Sequence, residues 1–94
     1  MKILYWFLGH PEEAGSFLPF LKEGDAFLLS GSALLIALRE GQVPFKAGVR
    51  ILVLDIDLRA RGFDHSDLRE GVEVISFPDL VKLMRNYSKI ITWP

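Results

Sequence analysis

No cysteine occurs among the 94 residues. That excludes disulfides, cysteine-based zinc sites and a thiolate nucleophile on this chain. Histidine is nearly as scarce. His10 and His65 stand far apart and match no metal-ligand spacing, so no metal and no other cofactor is expected. Neither sign of charge is in excess: the formal net charge is −1, and the basic residues form no block. Tight nucleic-acid binding normally needs a clustered positive face, so direct nucleic-acid binding is not expected. The opening stretch, "MKILYWFLGH", has one lysine and a short apolar run, too short for a signal peptide or a membrane helix. The expectation is a cytoplasmic protein with no membrane partner.

Apolar residues, by contrast, are plentiful, at 50% of the chain. A chain of this length makes one domain, residues 1–94, and small domains bury a limited share of their surface. The surplus points to apolar surface buried against other chains.

The order of segments gives the fold class. Ile3–Leu8 is a continuous apolar run and reads as a buried strand. Pro11-Glu12-Glu13 has the composition of a first helical turn. Phe17, Leu18, Phe20 and Leu21 would form the apolar face of that helix, which Gly15 and Pro19 weaken. Ala26–Leu29 is a second strand. Ser30-Gly31-Ser32 leads into "ALLIALRE", which reads as a serine-capped helix ending at Gly41. "QVPFKAG" is a loop, and Val49–Leu54 a third strand. Asp55 or Asp57 would cap a short helical turn closed by Gly62. "HSDLREG" is a polar connection and Val72–Ser76 a fourth strand. Pro78-Asp79 opens a helix through "DLVKLMRNY", with Leu80, Val81, Leu83 and Met84 inward, and "KIITWP" offers a short final strand. Alternating strands and helices predict a single-domain α/β fold, a mostly parallel sheet of four to five strands with helices on both faces.

Ligand sites in such sheets lie at the carboxyl ends of the strands. Gly9-His10, Ser30-Gly31-Ser32, Asp55-Ile56-Asp57 and Ser76 fall there. Ser30 or Ser32 with His10 and Asp55 could form a nucleophile–base–orienter set, though "LSGSA" departs from G-x-S-x-G. Capping serines and a surface histidine account for the same residues. "SGS" lacks the phosphate-binding patterns G-x-x-x-x-G-K-[ST] and G-x-G-x-x-G. Asp55 ends a central strand as a receiver phosphoacceptor would, but the acids needed after the first strand to hold magnesium are missing. In "LDIDLRARGF", Arg59 and Arg61 could pair with Asp55 and Asp57 or grip a partner's carboxylate; a solvated turn is the simpler account, since surface pairs contribute little to stability.

Taken together, "EGDAFLL", "VLDIDLRARGF" and "VEVISFPDLVKLMRNYSKIITW" resemble the DsrH/TusB family. The residues that carry the resemblance are Glu23-Gly24-Asp25, Asp55, Asp57-Leu58, Ala60-Arg61-Gly62, Phe77 with Asp79, and Trp93. The likeness covers most of the chain and is weakest in the first helix. It implies a DsrEFH-type domain assembled with DsrE/TusD-like and DsrF/TusC-like subunits, often as a heterohexamer with two copies of each. Such a complex relays persulfide sulfur, to the 2-thiouridine of the tRNA wobble position in the Tus branch and in sulfur oxidation in the Dsr branch. The relay cysteine belongs to the DsrE/TusD-like partner. Some DsrH members also carry a cysteine in the first helix, near Phe17, and this chain departs from them.

A persulfide needs a thiol sulfur, so the expectation is a structural or positioning subunit with no catalysis by this chain alone. Such a subunit would be hetero-oligomeric with its partners and homo-oligomeric without them. Asp55, Asp57, Arg59, Arg61 and Trp93 are its candidate interface or signature residues. Trp6, in mid-strand, reads as core. The alternative is a stand-alone small-molecule-binding or hydrolytic homo-oligomer using His10, Ser30, Ser32 and Asp55.

Overall fold

Five short runs of apolar, largely β-branched and aromatic residues form one sheet, as such residues do when both faces of the strands are covered. The structure is a computed structural model and describes residues 1–41 and 43–93. The strands are β1 (Ile3–Phe7), β2 (Ala26–Leu29), β3 (Arg50–Leu54), β4 (Val72–Ile75) and β5 (Lys89–Trp93). Their order is β4-β3-β2-β1-β5, and every neighbouring pair is parallel. All carboxyl ends therefore share one edge. Gln42 of the expected loop and Pro94 of the expected last strand lie outside the described residues.

Helices cover both faces. Along β1, alternation sends Tyr5 and Phe7 to one face and Leu4 and Trp6 to the other. The first face packs Phe7, Phe27, Leu29, Ile51 and Val53 beneath α1 (Pro11–Phe17), a 3₁₀ segment at Gly31–Ala37 and α2 (Asp55–Ala60). The second packs Leu4, Leu28, Leu52 and Leu54 beneath α3 (Phe77–Met84), whose Leu80 is fully buried. β1 through β4 are laid down in one direction across the sheet. α3 then carries the chain back to the far side of β1, where β5 completes the sheet.

Several local expectations are corrected. "ALLIALRE" is a 3₁₀ helix over Gly31–Ala37 rather than an α-helix, and Ser30 makes no side-chain cap. A three-residue period leaves Ser32 and Leu35 on the outer row while Ala33, Leu34, Ile36 and Ala37 are buried. Packing nearly all of this apolar segment against the sheet outweighs the usual α preference. The first helix stops at Phe17, and a 3₁₀ turn containing Pro19 follows over Leu18–Phe20. Leu18 and Leu21 are buried as expected, but Phe20 is 76% exposed, because the turn rotates it off the core. α2 is capped by neither Asp55 nor Asp57: both lie inside it, in its first turn. The last helix ends at Met84, three residues short of Tyr87, and its Val81 is exposed rather than inward. Its side chains at Leu80, Leu83 and Met84 alone face the core. The remaining strand limits differ by one residue at β1, β3 and β4.

Candidate functional site

The signature at the end of β3 is a helix-stopping device. Phe63 N–H donates to Leu58 O at 3.1 Å and Gly62 N–H to Arg59 O at 3.0 Å, the two bonds of a Schellman motif. Gly62 takes φ +79°, and no atom lies within 4 Å of where a Cβ would stand. Backbone conformation, not crowding, calls for glycine there. Leu58 is fully buried, and Phe63 packs on the same core. Arg59 Nη2 donates to Asp55 Oδ2 at 2.8 Å, one helical turn away. Asp57 and Arg61 form no ion pair among the described residues, and Arg61 is exposed. The turn thus presents Ile56, Arg59 and Arg61 outward from an anchored base.

The Glu23-Gly24-Asp25 motif is also structural. Gly24 turns the chain at φ +94°. Asp25 is buried, and its two carboxylate oxygens accept from Ile3 N–H and Lys22 N–H, each at 2.9 Å. One side chain thereby ties the start of β1 to the entry of β2. On the other side of the sheet, the Arg50 guanidinium grips Glu73 through two hydrogen bonds of 2.9 and 2.7 Å across β3 and β4, and this holds the Glu73 carboxyl below its usual range.

His10, Ser30, Ser32 and Asp55 all reach the carboxyl edge, but no hydrogen bond joins them among the described residues. Ser30 Oγ accepts from Trp6 Nε1 at 2.8 Å, which ties β1 to β2. Ser32 Oγ lies 3.5 Å from Gly9 O. His10 is exposed and supplies only its backbone to α1. Asp55 is held by Arg59. Ser76, at the same edge, caps α3 by accepting from Asp79 N–H at 3.2 Å. Among the described residues no cluster of three or more potential metal ligands occurs, and no helix is long and apolar enough to cross a membrane.

A concavity lies beside α1 at the end of β5, the strand added where the strand order reverses, and open α/β sheets commonly take ligands near such a reversal. Its volume is about 450 Å³, and Glu12, Glu13, Ser16, Phe17, Phe20 and Trp93 line it. Phe17 and Trp93 meet at 5.2 Å between ring centroids, and Phe7 stacks on Trp93 at 6.4 Å. Of these residues only Trp93 stands out in the sequence as a site candidate. The glutamates look like helix-dipole acids and Phe20 like core. The available signal is the switch point, which exists only once the strand order is known.

The family model described as DsrH like protein matches residues 10–90. The chain belongs to the DsrH-like family. Solved structures share the fold, among them these three. The E. coli ychN protein is 18% identical, covers 99% of both chains and superposes with a TM-score of 0.70. Protein Tm0979 from Thermotoga maritima is 22% identical over 92% of this chain and 93% of its own, at 0.67. MTH1491 from Methanobacterium thermoautotrophicum is 17% identical over 96% of each chain, at 0.63. No curated protein matches. The DsrH-like family is one of sulfur-relay-related subunits, and within it the Schellman turn of "DLRARGF" and the Asp25 tie account for two of the motifs.

Proposed function

We propose that this DsrH-like chain is a non-carrier, structural or positioning subunit of a TusBCD/DsrEFH-like sulfur-relay complex. The observation that carries the reading is a DsrH-like match over residues 10–90 in a chain without a single cysteine. A persulfide requires a thiol, so the carried sulfur belongs to a DsrE/TusD-like partner, with a DsrF/TusC-like chain completing the complex. Where some family members place a cysteine, Phe17 packs among Tyr5, Phe7, Phe27 and Trp93. The position serves packing rather than chemistry. Arg59 and Arg61, presented on the rigid turn after β3, and half-exposed Trp93 suit partner recognition, since arginine and aromatic side chains commonly anchor interfaces. The same role serves wobble 2-thiouridine synthesis in one branch and sulfur oxidation in the other.

Native mass spectrometry of the tagged protein from its own cells tests this. The expected result is a complex with small, cysteine-bearing DsrE- and DsrF-like chains that Arg61→Ala weakens. Recovery without such chains refutes the reading. The hydrolytic alternative at His10, Ser30, Ser32 and Asp55 finds no support in geometry that already engages Ser30 with Trp6 and Asp55 with Arg59.

A further inference from the structure

β5 is an edge strand with its outer backbone unpaired among the described residues. Such an edge is a template for another strand unless charge, proline or a bulge blunts it. Here one lysine, Lys89, is the only charged residue on it. Leu8 N–H donates to Trp93 O at 2.8 Å, so by alternation residues 89, 91 and 93 turn their backbone groups toward β1. Ile90 and Thr92 turn theirs outward. Registered with β1, Lys89, Ile91 and Trp93 share the face of Ile3, Tyr5 and Phe7, the face that carries α1.

The acidic aromatic cleft stands over the end of this same strand. Two glutamates and three aromatic rings line it, and no basic side chain does. That wall suits a cation on an apolar stem, held by ring faces and carboxylates. The chain's own Lys89 lies about 13 Å from Trp93 along the strand at the usual rise.

We infer that β5 pairs antiparallel with β5 of a second copy, and that Lys89 of each copy enters the Glu12–Glu13–Trp93 cleft of the other. The register follows from the strand itself. Centred on Ile91, the pairing sets Ile90 opposite Thr92 of the second copy, and these residues exchange both of their outward hydrogen bonds. Lys89 then falls opposite Trp93 at a non-hydrogen-bonded position, where facing side chains stand closest. The contact is self-complementary, as a two-fold interface must be. It brings cation to anion and covers Trp93 and Phe20, which are 42% and 76% exposed in the single chain. The ten strands of the two copies become one sheet. This pairing is independent of the relay reading: it commits Trp93 to the second copy and leaves Arg59 and Arg61, on the far side of the sheet order, to the partner chains.

Sedimentation velocity on the purified full chain tests the proposal, with circular dichroism to establish that each variant is folded. Wild type should be a dimer at micromolar concentration. Thr92→Pro removes an outward N–H that β1 does not use, and the folded variant should be monomeric. Lys89→Glu, a surface change that leaves the backbone intact, should weaken dimerisation about tenfold or more. Combining it with Glu12→Lys and Glu13→Lys should restore it. A wild-type monomer at every concentration overturns the proposal and leaves the edge to a strand of another protein. A dimer that persists in folded Thr92→Pro, or that ignores Lys89→Glu, overturns it equally.

Discussion

Asp25 shows how one side chain decides local geometry. Its carboxylate accepts two backbone N–H groups from segments far apart in sequence, and burial leaves those donors little water to turn to. Asp25→Ala should lower stability by about 2–3 kcal/mol, since bonds to a charged acceptor are strong and an orphaned donor is costly. Urea denaturation reads this as a shifted midpoint; an unchanged midpoint would show that water replaces the carboxylate. Gly24-Asp25 is legible from its composition as a turn. The two partners of Asp25 are not, because one of them, Ile3, is 22 positions away.

At the scale of elements, the stretch "DLRARGF" is resolved as a short helix with a built stop. Gly62 is needed for its positive φ alone. Gly62→Ala should therefore destabilise by about 1 kcal/mol, and Gly62→Asn by less, because asparagine tolerates the left-handed region. Thermal melts of the two variants distinguish this from a steric role, under which the bulkier asparagine would be worse. Glycine after "LRAR" announced the stop in advance. The capping role expected for Asp55 or Asp57 was misplaced because the helix begins directly at the end of β3, with Leu54 at the cap position. The 3₁₀ form of Gly31–Ala37 was hidden for a related reason. Periods of 3.0 and 3.6 are indistinguishable in seven mostly apolar residues, and packing against the sheet selects between them.

For the whole molecule, the uneven cover of the sheet matters most. One eight-residue helix, α3, spans the second face, and Leu80 is its fully buried side chain. Leu80→Ala should cost about 3 kcal/mol, a large share of the 5–15 kcal/mol typical of a domain. Loss should be cooperative, so far- and near-ultraviolet circular dichroism should melt together at a lower temperature. Separate transitions would mean that α3 detaches from a sheet that survives without it.

The chain's own residues determined the family, the class of fold and the absence of a thiol. These depend on residue identity and on apolar runs, which are local properties. The parallel sheet followed from the alternation of strand and helix, because parallel neighbours require crossovers. Tertiary structure alone decided the order β4-β3-β2-β1-β5, and with it the open edge of β5. It also gathered Glu12, Glu13, Phe17 and Phe20 beside Trp93. Those residues lie 73 to 81 positions before Trp93 in the chain, and only the return of α3 across the sheet places β5 against β1. Which residues meet across such a span is set by the total burial of the fold, a sum that no local pattern contains.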